Sequence, residues 1–260
     1  MNRVAALLAI SLALTSCTSW RKMPLTGLDH PSGWADQIRG TATETYLLAQ
    51  LSSDVYDQEP RFVLPSNVRR LELQRDDPIG FGYGLYEWAR TPGSPELALA
   101  FRGTDFSQRE DWAYGNIIPL QNRRGLDTFR RIRAAHPGKP IHLTGHSLGG
   151  GIATYVSLVD PVAQSVVFNS SPRFRAPRNP ARNRRTTIVE YGEILKATRL
   201  LGREADQLYM SIGCTRGGPI HQHTMRLLAE CLTRIAAHDS ETARESLRLN
   251  PNIRRIEAKR

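Results

Sequence analysis

Apolar positions along this chain follow two rhythms, and together they predict a sequence of elements. From residue 43 to residue 57, Tyr46, Leu47, Ala49, Leu51 and Val55 recur at helical spacing, and Pro60 and Pro65 lie just beyond. Residues 79–89 read as a strand, and Thr91-Pro92-Gly93-Ser94-Pro95 after them is strong turn chemistry. Residues 97–101, LALAF, form a nearly continuous apolar run, as expected of a strand covered on both faces. The two strands predict an antiparallel hairpin at the start of a sheet. Residues 127–135 read as a short helix, 141–144 as a strand, and the run from Gly150 to Val156 as the start of another helix. Three more strands are expected at 164–168, 187–191 and 207–212. A last helix is expected at 223–237, with Leu227, Leu228, Cys231, Leu232 and Ile235 inward. Strands alternating with helices predict a three-layer α/β fold around a mostly parallel sheet with an antiparallel start.

The most informative stretch is Pro140 to Val156, PIHLTGHSLGGGIATYV. Within it, Gly145-His146-Ser147-Leu148-Gly149 fits G-x-S-x-G with a strand before it and a helix after it. That context defines a nucleophile elbow, a strained turn that lifts one serine hydroxyl above the end of a sheet. Side chains at Gly145 and Gly149 would collide with the neighbouring strand and helix. Gly150 and Gly151 weaken the helix by about 1 kcal/mol each relative to Ala, which is tolerable where close packing on a sheet is needed. A serine hydroxyl is a poor nucleophile unaided, so a base, an acid that orients the base, and oxyanion donors are also required. On such folds they follow in the order Ser, Asp or Glu, His. Only His221, His223 and His238 lie after Ser147. His238 is in a polar context towards the end of a helix, whereas His221 and His223 flank the start of one, behind Gly217-Gly218-Pro219-Ile220.

These residues resemble the class 3 lipases, and more closely their bacterial lipoprotein-like members, over roughly residues 43–237. Ala100-Phe101-Arg102-Gly103-Thr104-Asp105 resembles the oxyanion strand of that family, F-R-G-[ST]. Asp111-Trp112 and Asn116 resemble the segment that forms the lid in fungal members. Thr144 to Gly150 matches the family elbow, and Val189 to Leu195 lies where the family places its acid. The resemblance implies an α/β-hydrolase fold and a serine ester hydrolase (lipase, esterase or phospholipase) working without metal or cofactor. It implies Ser147 as nucleophile and the backbone N–H groups of Leu148 and Thr104 as oxyanion donors. It also implies Glu193 as acid, in place of the usual Asp, with Asp206 as the alternative. His223 is the implied base, because His223-Thr224-Met225 resembles the H-[ST]-M of the bacterial relatives, with His221 as the alternative. Arg102 is expected to hold the oxyanion loop. The different reading to weigh against an enzyme is a catalytically inactive envelope protein on the same fold.

The first residues change the picture of where this happens. Met1-Asn2-Arg3 is followed by an apolar run from Val4 to Leu14, too short to span a bilayer, which takes about 20 residues, but suited to a secretory signal. Leu14-Thr15-Ser16-Cys17 resembles a lipobox, so residues 1–16 read as a signal peptide and Cys17 as a lipid-anchor site. Residues 17–36 then form a tether, and 37–260 the catalytic domain. Thr18, where an Asp would favour the inner membrane, predicts the outer membrane, facing the periplasm. Cys214 and Cys231 remain, an even pair in an oxidising compartment and a disulfide candidate. The chain has 35 basic against 25 acidic residues, a net charge of +10. The basic residues are not interleaved with aromatics as in nucleic-acid binders, and no zinc spacing or nucleotide motif is present. Arg173, Arg175, Arg178, Arg182, Arg184 and Arg185 form a run that is either a solvated loop or a patch for anionic headgroups. Expected partners are an acyl-ester substrate and the membrane, with no nucleic acid, and the chain is expected to be a monomer.

Overall fold

The computed structural model describes residues 24–56, 61–75, 77–91, 93–103, 117–172, 174, 176–199 and 207–252. Seven strands form one sheet in sequence order: β1 (Val68–Gln74), β2 (Tyr83–Thr91), β3 (Ser94–Phe101), β4 (Ile141–His146), β5 (Gln164–Phe168), β6 (Arg185–Glu190) and β7 (Gln207–Ile212). The β1–β2 and β2–β3 pairs are antiparallel, and every pair from β3 to β7 is parallel. Helices α2 (Ile117–Ala135) and α3 (Leu148–Val159) cover one face. Helices α1 (Asp36–Asp54), α6 (Met225–Ala236) and α7 (Glu241–Leu249) cover the other, and two single turns, α4 (Lys196–Arg199) and α5 (Pro219–Gln222), lie in the connections.

Strand β3 shows how the sequence builds both layers. Its alternate residues Leu97, Leu99 and Phe101 join the core under α2 and α3, while Ala98 and Ala100 face α1. A strand alternates faces with period two, so large residues fill one side and small ones let α1 lie close on the other. The lower half of α1 is buried all round, from Thr45 to Asp54. Its Ser52 hydroxyl meets Thr144 on β4 at 2.8 Å, and Gln50 donates to Thr233 on α6 (2.9 Å) and Ser246 on α7 (2.8 Å). Asp54, at the end of α1, accepts hydrogen bonds from Tyr86 (2.8 Å) and Arg70 (3.0 Å). Burial, with the Asp54 carboxylate beside it, pushes the Tyr86 hydroxyl well above its ordinary pKa.

The elements differ from the sequence expectations mainly at the polar ends. Helix α1 begins at Asp36, seven residues earlier than the apolar periodicity indicates, because its first two turns are mostly polar and only partly buried. Helix α2 begins at Ile117 rather than 127, with Pro119 in the first turn, where a missing N–H costs nothing. Residues 77–82 form a turn instead of the start of β2, since the Asp77 carboxylate accepts the N–H groups of Ile79 (2.9 Å) and Phe81 (3.0 Å). Strand β6 begins at Arg185, before the expected 187. Strand β1 and helix α7 lie outside the predicted set. The first is an edge strand carrying Arg69, Arg70 and Glu72, charges that guard an unpaired edge. The second is capped by Ser240 and laced by the Arg244–Glu241 and Arg248–Glu245 pairs.

The arginine run is not one surface. The Arg185 guanidinium is buried and donates to the carbonyls of Ser157 (3.3 Å) and Ala181 (2.9 Å), which makes it a structural residue. Arg184 pairs with Glu44, while Arg178 and Arg182 are exposed. Arg173 and Arg175 lie outside the described residues, as do residues 1–23, including Cys17.

Candidate active site

Ser147 joins β4 to α3 with φ 54° and ψ −124°, a left-handed conformation rare for a residue with a side chain. Surrounding contacts hold that strain. The Ser147 N–H donates to the Phe168 carbonyl at the end of β5 (3.1 Å), and its carbonyl accepts from Ser171 (2.8 Å) and Gly151 (3.2 Å). The glycines on either side are steric necessities. A Cβ on Gly145 would lie 2.6 Å from the backbone of Gly149, and one on Gly149 would lie 2.1 Å from the Phe101 carbonyl oxygen. Leu148 is the first residue of α3. Its backbone N–H therefore belongs to the first turn, where helix amides have no intrahelical partner and the helix dipole favours negative charge.

The second component comes from two loops at the same end of the sheet. After β6, residues 190–193 turn so that Glu193 points inward, and α5 ends with His223 as its C-cap residue. His223 Nδ1 lies 2.6 Å from Glu193 Oε2, with side chains 3% and 0% exposed. An ionised carboxylate can only accept, so Nδ1 carries the proton and the neutral ring leaves Nε2 as its basic nitrogen. Glu193 Oε2 also accepts the Leu195 N–H at 2.9 Å. A buried charge survives only when paired and hydrogen-bonded, and this one is both. The ring of His146, next to Ser147 in the chain, lies 4.6 Å from the His223 ring. The structure thus brings Glu193 and His223 together, with the His223 ring against that of the residue before Ser147. His221 is exposed and packs on Gly217 instead. Thr104, Asp105, Asp111, Trp112, Asn116 and Asp206 lie outside the described residues.

The loop that carries His223 is fastened at several points. Cys214 and Cys231 form a disulfide with Cα atoms 5.8 Å apart, tying the loop's start to α6. The Glu190 carboxylate, at the end of β6, accepts the N–H groups of Cys214 (2.9 Å) and Thr215 (3.1 Å). Asn169, with φ 41°, accepts the Glu190 N–H at 2.8 Å and reaches the His223 carbonyl at 3.4 Å. Sequence reasoning passed over Glu190 and Asn169. The available signal was position: each sits at or just past the carboxyl end of a parallel strand, where such sheets place their polar chemistry. Arg102 stacks its guanidinium over the Tyr56 ring, 5.6 Å from the centroid.

A serine on a strained elbow at the carboxyl end of a mostly parallel sheet between helical layers is the arrangement of a lipase-like α/β-hydrolase. Residues 47–185 match the family model described as phospholipase-like, Tle-like phospholipase domain, and the chain belongs to that family. The matched stretch contains Ser147 and ends before Glu193 and His223, so their pairing is an observation independent of the match. Among curated proteins, no sequence match is found. Several solved structures are similar at low identity. The Lip2 lipase of Yarrowia lipolytica is 14% identical over 68% of this chain and 79% of its own, with a TM-score of 0.45. A Rhizomucor miehei lipase propeptide complex is 13% identical over 78% and 79%, with a TM-score of 0.49. A triacylglycerol lipase from Penicillium expansum is 13% identical over 68% and 81%, with a TM-score of 0.47.

The disulfide generates a prediction. Cys214→Ser/Cys231→Ser opens a loop of sequence separation 17, which lowers stability by about 3 kcal/mol on the chain-entropy account. Ester turnover should fall severalfold at temperatures below global unfolding, because the His223 loop loses a tether. Turnover equal to the wild type in a folded double variant would contradict this.

Proposed function

We propose that this chain is a serine hydrolase of lipid acyl esters, phospholipids included, with Ser147 as nucleophile, His223 as base and Glu193 as the acid that orients it. The observation that carries the reading is the buried 2.6 Å contact between His223 and Glu193, with the His223 ring against His146, the neighbour of the strained Ser147. Family membership supports a lipid ester as substrate. In the reaction, Ser147 Oγ bonds to the ester carbonyl carbon while its proton passes to His223 Nε2. The carbonyl oxygen becomes an oxyanion that the Leu148 N–H would stabilise, the family resemblance implying Thr104 as the second donor. Such donors are worth roughly 3 kcal/mol each in a dry site. Collapse breaks the carbon–oxygen ester bond, and the leaving alcohol takes the proton from His223. A water, deprotonated by the same nitrogen, then cleaves the acyl-enzyme and returns the proton to Ser147. Glu193 keeps the ring in the required tautomer and stabilises the imidazolium. An inactive envelope protein would have no need to keep a dry carboxylate against a histidine at this place.

The reading extends to the anchor. Cys17, lipidated after removal of residues 1–16, would hold the domain at the periplasmic face of the outer membrane. No helix among the described residues is long and apolar enough to cross a membrane. A mass spectrum of the envelope-extracted protein should show a diacylglyceryl adduct on an N-terminal Cys17. A free thiol at that residue would contradict the anchor.

Ser147→Ala should lower hydrolysis of a soluble p-nitrophenyl acyl ester, and of phospholipid vesicles, by a factor of about 10³ or more with an unchanged melting temperature. His221→Asn should stay within about twofold of the wild type, while His223→Asn follows the serine variant. Undiminished turnover in Ser147→Ala would refute the mechanism.

A further inference from the structure

The residue before the nucleophile, His146, occupies the variable position of the elbow, where the chemistry of Ser147 demands no particular side chain. It is nevertheless buried, and both ring nitrogens are engaged. Nε2 lies 2.7 Å from the backbone carbonyl oxygen of His223. That oxygen can only accept, so Nε2 carries the proton. In the neutral ring Nδ1 is then an acceptor, and the Tyr56 hydroxyl stands 3.1 Å from it. The Tyr56 hydroxyl donates to Nδ1 and accepts the N–H of Gly103 at 3.0 Å.

The direction of the whole chain follows from its two backbone ends: Gly103 N–H to Tyr56 Oη, Tyr56 O–H to His146 Nδ1, His146 Nε2–H to the His223 carbonyl. Four separate segments are joined: the end of β3, the end of α1, the elbow and the loop of the proposed base. The approach is close. A Cβ on Gly103 would lie 2.5 Å from the His146 carbonyl oxygen and 2.6 Å from Tyr56 Oη. The aromatic rings reinforce it, with Tyr56 edge-on to His146 at 5.9 Å between centroids.

Strand and helix spacing explain why α1 can supply the link. Thr144 and His146 are two residues apart on β4, about 6.6 Å, while Ser52 and Tyr56 are four apart at the end of α1, about 6 Å. The two pairs therefore meet as rungs, Ser52 with Thr144 and Tyr56 with His146. An imidazole suits the second rung because it is rigid and holds a donor and an acceptor on separate edges.

We propose that His146 and Tyr56 are positioning residues of the hydrolysis: their relay fixes the base loop and the chain at Gly103, just after β3, in one register with Ser147. The proposal rests on the assignment of Ser147, His223 and Glu193 above. Tyr56→Phe is the cleanest probe, since it removes one hydroxyl and keeps the ring that packs on His146 and Arg102. His146→Gln keeps a donor at the reach of Nε2 and gives up the rigid acceptor.

On a soluble p-nitrophenyl ester, each variant should lower kcat about tenfold, the worth of a buried hydrogen bond, with KM within about twofold. The double variant should be no slower than the slower single one, because both substitutions break the same chain. Their effects on melting temperature should likewise fall short of the sum. Wild-type kcat in Tyr56→Phe, or single effects that multiply in kcat, would overturn the proposal. Amide hydrogen exchange gives a readout that needs no turnover: in Tyr56→Phe it should quicken at Gly103 and across residues 219–224 together. Exchange in 219–224 equal to the wild type would also overturn the relay. A wild-type protein inactive on every ester would instead refute the assignment of the triad and leave the relay to be decided by exchange.

Discussion

The contact on which the rest of the site depends is the buried pairing of Glu193 with His223. Both side chains are almost wholly excluded from solvent, and each comes from a loop rather than from a strand or long helix. Opening either loop would leave a carboxylate in a dry environment without its partner, at a cost of several kcal/mol. The penalty that makes such a pair expensive to break also keeps the proposed base in place. Chemistry and local folding therefore share one interaction.

Around that pair the protein applies steric and polar constraints together. The elbow is possible only because Gly149 rests its α-carbon against the Phe101 carbonyl at the end of β3. Sheet order then puts the neighbours to use. β5 supplies the acceptor for the Ser147 N–H, Asn169 follows it with a left-handed backbone, and β6 ends in Glu190, which secures the start of the base loop. Strands β4, β5 and β6 each deliver one polar group at the carboxyl end, Ser147, Asn169 and Glu190, and those ends lie side by side because the strands are adjacent. The disulfide and the His146 relay close the loop from its other side.

Strand β3 was legible in the sequence because a strand covered on both faces can be apolar nearly throughout, whereas β4 to β7 showed shorter apolar stretches set among polar residues. The elbow was legible because its glycines answer a steric demand that no other residue meets. Strand β1 and helix α7 were not, since an edge strand and an outer helix carry charges that dilute the periodicity. His221 and His223 could not be separated by residue type or order, and resemblance alone favoured one. What separates them physically is the single turn α5, which leaves His221 outside and turns His223 inward. The extra methylene of Glu193, an oddity where the resemblance leads one to expect Asp, is accommodated by a turn in which the Glu193 N–H points back to the Glu190 carbonyl. Tyr56 and His146 stood in view throughout, but their contact spans 90 residues, and no local pattern announces it.

The most direct test of this account is a crystal structure of the protein after reaction with a long-chain alkyl fluorophosphonate. The account predicts phosphorus bonded to Ser147 Oγ, its free oxygen within hydrogen-bond distance of the Leu148 N–H, and His223 still held by Glu193. A phosphonate on another residue would contradict it. So would an adduct on Ser147 in which the Glu193 carboxylate has left His223.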